Sequence, residues 1–175
     1  MKTSSLIKSF LFVATVALLI AAFACRPEIN SRKPIPGGPA GWVFEDGKRA
    51  TVGDYTGKVV LLNFYATWCD PCRLEMPHLI ALHQKYEGQG LQVIGLNVGG
   101  EDDYAEVPAF KQEFRIPFPL AIPDDDFVER YLGVNQSIPQ SFVVDRHGRI
   151  VKHFIGFSDE SFNEVESIVQ AALKE

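Results

Sequence analysis

The sequence predicts an α/β domain, a central mixed β-sheet flanked by helices with a β-hairpin extension on its N-terminal side. Three observations lead there. Residues 57–66 ("GKVVLLNFYA") and 91–98 ("LQVIGLNV") are continuous apolar runs of β-favouring residues, as expected for strands covered on both faces. Segments with helical periodicity separate and follow these runs. Near the end, "QSFVVD" and "RIVKHFIGF" flank Arg146-His147-Gly148 as a second hairpin.

In chain order, "WVFEDGKRATV" reads as two short strands about an Asp46-Gly47 turn, the hairpin extension. After the first buried strand, Leu79, Leu82 and Tyr86 recur at helical spacing as far as Gly88. After the second, polar "GGEDD" leads into a single helix bearing Tyr104, Val107, Phe110 and Phe114, and "PFPLAI" is a short strand. Asp124 to Asp126 cap a helix that carries Phe127 and Tyr131 and closes at Gly133. The tail from Ser158 places Phe162, Val165, Ile168, Val169 and Leu173 on one helical face.

The 175 residues are 46% hydrophobic and 22% charged, enough apolar material for one domain to fold without staples. Three cysteines are too few for a disulfide scaffold, and the odd number leaves one to be explained. The net charge is −5 and no cluster of Lys and Arg offsets it, which argues against a nucleic-acid partner.

Residues 1–24 read as an export signal: Lys2 and Lys8, an apolar run from Phe10 to Ala24, then small residues before Cys25. Ala22-Phe23-Ala24 suits ordinary signal peptidase. "AAFAC" also resembles a bacterial lipobox, in which the cysteine becomes a lipid-bearing N-terminus, so lipidation of Cys25 is expected. Cleavage without lipid and an uncleaved anchor are the alternatives; the run is at the short edge of the ~17–25 residues a spanning helix needs. Each outcome places the domain outside the cytoplasm, where disulfides persist, the first as a membrane-anchored lipoprotein facing the periplasm. Residues 25–41, rich in proline and glycine, form a flexible tether, and residues 42–175 form the domain.

The chemistry concentrates in "ATWCDPCRLEMPHL". Cys69 ends a buried strand and begins a helix; Cys72 lies one turn on along the same face, within disulfide range. Pro71 suits the first turn, where its missing N–H has nothing to donate to. Free N–H groups and the helix dipole at that end stabilise a thiolate, so Cys69 is the attacking sulfur and Cys72 resolves the mixed disulfide. That assignment requires a first sulfur that partners can reach. A metal clip would need two more ligands, and no second C-x-x-C or H-x-x-x-H exists; His78 and His83 on the following helix and His147 in a hairpin turn are expected to face solvent, and His153 lies mid-strand. A structural disulfide closing so short a loop would add little stability. Redox exchange is the reading the residues favour.

Strand-"FYATWCDPC"-helix is similar to the thioredoxin superfamily, in particular its TlpA/ResA-type branch of membrane-tethered, extracytoplasmic thiol–disulfide oxidoreductases. The resemblance runs from Trp42 to the C-terminus and includes "C-x-x-C-x-x-E-x-P" at Cys69–Pro77, "IPQSFVVDRHGRIV" at Ile138–Val151, and Gly156-Phe157. It implies a thioredoxin-like fold. It further implies that Pro77 kinks the helix presenting the thiols, that Ile138-Pro139 is a cis bond beside the cysteines whose backbone receives a substrate strand, and that Trp68 is a platform for the partner. Asn63 stands where ordinary thioredoxins keep a buried Asp. Glu75 matches the glutamate this branch sets near the thiols, to take the proton from Cys72 and tune both sulfurs. Tyr65 replaces a tryptophan common among relatives.

The resemblance implies a protein-disulfide reductant, for instance of apocytochromes c before haem attachment. It would take electrons from a membrane electron-transfer protein, work as a monomer, and need no cofactor beyond the Cys69–Cys72 disulfide. Asp70, a negative charge beside Cys69, opposes the thiolate and leans the same way. Two alternatives stay open: a lipid-anchored copper or haem-protein assembly module with the two cysteines as ligands, and a thiol peroxidase on the same scaffold. Against the latter, Ala66 stands where peroxiredoxins have threonine.

Overall fold

The computed structural model describes residues 39–175. The expected export signal, Cys25 and most of the tether lie outside the described residues. No helix among the described residues is long and apolar enough to cross a membrane.

The chain enters as the hairpin β1 (Trp42–Phe44) and β2 (Arg49–Ala50), then passes to β3 (Val59–Tyr65), α1 (Asp70–Tyr86) and β4 (Leu91–Asn97). It continues through α2 (Glu101–Tyr104), α3 (Val107–Phe114), β5 (Leu120–Pro123) and α4 (Asp125–Leu132). The hairpin of β6 (Gln140–Val144) and β7 (Ile150–Ile155) precedes the closing α5 (Asp159–Leu173). All seven strands form one mixed sheet in the order β2-β1-β5-β4-β3-β6-β7.

β3 and β4 are parallel neighbours, paired from Val59 opposite Leu91 to Tyr65 opposite Asn97. Every residue of β3 is buried, as its uninterrupted apolar run demands, because alternate side chains enter different cores. Val59, Leu61 and Tyr65 pack with Met76 and Leu79 of α1 and Val165 and Val169 of α5. Val60, Leu62 and Phe64 pack with Trp42, Phe127 and Phe142 on the opposite face, where α4 contributes Phe127 and Leu132. Asn63 falls in the first set by this alternation, which aims a polar side chain at α1.

The N-terminal hairpin is part of the sheet. β1 pairs with β2 through Trp42 opposite Ala50, and antiparallel to β5 through Val43 opposite Ile122. Gly47, with φ of 81°, supplies the left-handed turn residue between its strands. Two elements differ from the sequence reading. The helix expected across Tyr104 to Phe114 breaks into α2 and α3, with Pro108 in the first turn of α3. Proline cannot donate to a preceding turn and disfavours helix in the residue before it, so the chain restarts there. The strand expected from "PFPLAI" begins only at Leu120, since neither Pro117 nor Pro119 can donate to a ladder.

Candidate active site

The turn from β3 to α1 puts two sulfurs at a helix start. Cys69 is the N-cap of α1, and its Sγ accepts the Cys72 N–H at 3.3 Å. Asp70 and Pro71 occupy the first turn. Cys69 and Cys72 are joined in a disulfide, their Cα atoms 5.3 Å apart. The first unpaired N–H groups of α1 and the positive end of its dipole therefore face the sulfur that would become a thiolate.

Cys69 is only 4% exposed and Cys72 1%, so the disulfide form offers the first sulfur less openly than an attacking group requires. Trp68, one residue earlier, is 65% exposed. The Ile138 carbonyl oxygen lies 3.8 Å from Cys69 Sγ, and the Ile138-Pro139 peptide is cis. Ile138 stands beyond the β3–β6 ladder, whose last pair is Phe64 with Gln140. Trp68, Cys69, Ile138 and Pro139 thus come together from two separate turns. Pro77 lies inside α1, which continues past it to Tyr86, leaving the Arg73 carbonyl without its usual donor.

Cys69, Cys72 and Glu75 succeed one another at intervals of three along α1, and Glu75 is almost wholly buried. Asn63 Nδ2 donates to Glu75 Oε2 at 2.8 Å and to Ser141 Oγ at 3.0 Å, and Ser141 Oγ donates to Glu75 Oε1 at 3.3 Å. Both partners are neutral. Burial pushes the Glu75 carboxyl up to about 7, and the hydrogen bonds from Asn63 and Ser141 pull it only part of the way back. A carboxyl lifted toward neutrality thus lies one helical turn beyond Cys72.

Sequence reasoning missed the residues that hold the turn. Asp103, read only as part of a polar lead-in, is buried, and it accepts from the Thr67 N–H at 3.0 Å, from Thr67 Oγ1, and from Asn97 Nδ2 at 2.7 Å. Gly99 permits this approach, since a Cβ there would lie 2.2 Å from Asp103 Oδ2. From the other side, Arg73 Nη1 donates to the Thr67 carbonyl at 3.2 Å, while Nη2 pairs with Glu113 and the guanidinium lies 5.0 Å from the Phe114 ring centre. The adjacent glycines at 99 and 100 were the one hint in the sequence. His83 also departs from expectation: it is buried, its ring edge against Phe118 and its Nε2 3.1 Å from Glu87.

A model of the AhpC/TSA family matches residues 43–153. The chain belongs to the AhpC/TSA family. Among curated relatives, the thiol-disulfide oxidoreductase ResA of Bacillus subtilis is 30% identical over 167 residues, which cover 88% of this chain and 89% of that protein. The ResA of Geobacillus thermodenitrificans is 36% identical over 111 residues, 63% of this chain. That match spans 62% of the relative's own length. Among solved structures, a thiol:disulfide interchange protein of the thioredoxin family from Chlorobium tepidum aligns with a TM-score of 0.66 at 26% identity, covering 78% of this chain and 94% of that one. StoA from Bacillus subtilis, at 21% identity and a TM-score of 0.59, shares the fold. The AhpC/TSA chain therefore has the thioredoxin-like fold, with its disulfide at the β3–α1 turn.

Proposed function

We propose that this chain is a thiol–disulfide oxidoreductase that reduces disulfides of exported proteins. One observation carries the reading: a disulfide capping the N-terminus of α1, backed by a carboxyl that titrates near neutrality. The relatives' names agree with it. In the reduced form, the Cys69 thiolate attacks one sulfur of a client disulfide, making a Cys69–client bond and releasing the client's other sulfur as a thiolate. Cys72 then loses its proton to Glu75 and attacks Cys69 Sγ, restoring the Cys69–Cys72 disulfide and freeing the second client sulfur. Two electrons pass to the client, and each released thiolate takes up one proton. Asn63 suits both states of Glu75, since its amide offers Nδ2 to a carboxylate and, turned over, Oδ1 to a carboxylic acid.

Trp68 and the Ile138-Pro139 backbone receive the client beside the sulfurs, and the partner's approach displaces the cover that leaves Cys69 little exposed. Electrons return from a membrane electron-transfer protein. The leader-like residues 1–24 and the lipobox-like "AAFAC" support export and a lipid on Cys25, which would hold the domain at the periplasmic face of a membrane as a monomer. Apocytochromes c are the client class to which the resemblance points.

The test is trapping with Cys72→Ser, run beside alkylation of the reduced wild-type chain at pH 7. Clients should accumulate on Cys69 as mixed disulfides, and Cys69 should react first with the alkylating reagent. A Cys69 that traps no client and resists alkylation would overturn the reading. Purified protein holding Cu(I) on the two sulfurs, without disulfide-reductase activity, would replace it with the metallochaperone alternative.

A further inference from the structure

Beside Trp68 and Ile138 a groove of about 710 Å³ opens, and its far wall is α4. Val98, Val128 and Leu132 give it apolar surface, while Asp125 and Glu129, one turn apart on α4, bring two carboxylates to the same wall. Both acids are exposed, and neither is ion-paired with a lysine, arginine or histidine among the described residues. Val134, at the end of this wall, is fully exposed. Several other surface carboxylates are matched: Glu113 by Arg73, Glu166 by Lys85, Glu164 by Lys152 and Glu45 by Lys111. Asp125 and Glu129 have no such partner, and the groove they flank is also lined by Trp68 and by Ile138, whose carbonyl oxygen is 3.8 Å from Cys69 Sγ.

We propose that Asp125 and Glu129 select clients, the groove taking an extended client segment that carries a lysine or arginine next to an apolar residue flanking its cysteine. This rests on the oxidoreductase reading and names its substrate class. The apolar side chain meets Val128 and Leu132, and the cation meets the two carboxylates. Because the groove is open to water, the charge acts chiefly on encounter and orientation, and salt screens it. A second copy of this chain fits the wall poorly, since the chain is itself acidic, with a net charge of −5.

The test uses the reduced chain and two synthetic peptides, each closed by one internal disulfide and differing only in a Lys-Leu or Glu-Leu pair beside the first cysteine. Bis(2-hydroxyethyl) disulfide, small and uncharged, is the wild-type control. At low ionic strength the Lys-Leu peptide should be reduced about fivefold faster in kcat/KM, the scale of one or two exposed charge pairs, and at 1 M salt the ratio should fall toward one. Asp125→Asn with Glu129→Gln should bring the ratio to about one, and Asp125→Lys with Glu129→Lys should invert it, which a merely structural role for α4 would not do. A ratio that is the same in all three chains overturns the selection. So does a wild-type dimer that the lysine substitutions abolish, which would put a second copy in the groove. Failure to reduce the uncharged disulfide strikes instead at the oxidoreductase reading itself.

Discussion

Glu75, behind the disulfide, and Asp145, in the turn between β6 and β7, are carboxylates with opposite surroundings. Glu75 is met by an amide and a hydroxyl, both neutral, inside a core of Cys72, Met76 and Leu79, and burial lifts its carboxyl to about 7. Asp145 accepts the backbone N–H groups of His147 and Arg149, each at 2.9 Å, and the Arg149 Nε at 2.7 Å. The Arg149 N–H is the largest cause that holds its carboxyl down at about 2. The two differ in what surrounds the charge. Donors that favour the anion fix Asp145 as a permanent charge that ties a hairpin turn, whereas a dry site with neutral donors leaves Glu75 free to move a proton.

The widest separation between the two should appear in the exchange reaction. Glu75→Gln keeps the shape and the Asn63 contact but cannot take a proton, so resolution of the mixed disulfide at pH 7 should slow by about 100-fold, the low end of general-base contributions. Asp145→Asn, far from the sulfurs in chemistry, should leave that rate within about twofold. Stopped-flow release of a thiol leaving group from a preformed mixed disulfide measures both. Equal slowing by the two substitutions would break the distinction and make Glu75 a packing residue.

Much of this arrangement was legible in the sequence, for identifiable reasons. β3 and β4 declare themselves because a strand buried on both faces must be apolar throughout, and the Cys69–Cys72 turn because its signal is local. The break between α2 and α3 was hidden, since Val107, Phe110 and Phe114 keep helical periodicity on both sides of it. Asp103 and Asp125 were hidden more deeply. An acid in "GGEDD" or at a helix start looks like solvated surface, and only the fold brings Thr67 to the first, 36 residues away, or Trp68 to the wall that carries the second. Glu75 came from the resemblance to a known motif. Its burial and its bond to Asn63 came from the register of β3, which alternation alone could have supplied.

The same pair should part again in stability against pH. The folded value for Glu75 is raised from 4.5 to about 7, so its contribution is fully present below pH 4.5 and is lost as pH rises through 7. At ~1.4 kcal/mol per pKa unit this amounts to about 3 kcal/mol. Asp145 runs the other way: its folded value is lowered from 3.8, so its contribution is present above that and lost as pH falls through about 2. Urea unfolding of the oxidised chain should therefore show stability declining between about pH 4.5 and 7, and Glu75→Gln should flatten that decline while leaving the acid limb in place. Asp145→Asn should remove part of the acid limb and leave the neutral one.

The smallest effect tests why Asp145 is ionised. Arg149 pairs with it through Nη2 at 2.6 Å, yet the arginine side chain is 69% exposed, and exposed pairs contribute little. The backbone N–H of Arg149, which no substitution short of proline removes, ranks ahead of that side chain among the causes of the lowered value. Arg149→Met should thus raise the Asp145 carboxyl only slightly, leaving it below 3.8 in an NMR titration, with a melting temperature nearly unchanged at pH 7. A carboxyl that climbs to the ordinary aspartate range would show that the guanidinium, and not the turn, supplies the charge-favouring surroundings. Asp145 would then differ from Glu75 by one replaceable side chain and no longer by the way the backbone encloses it.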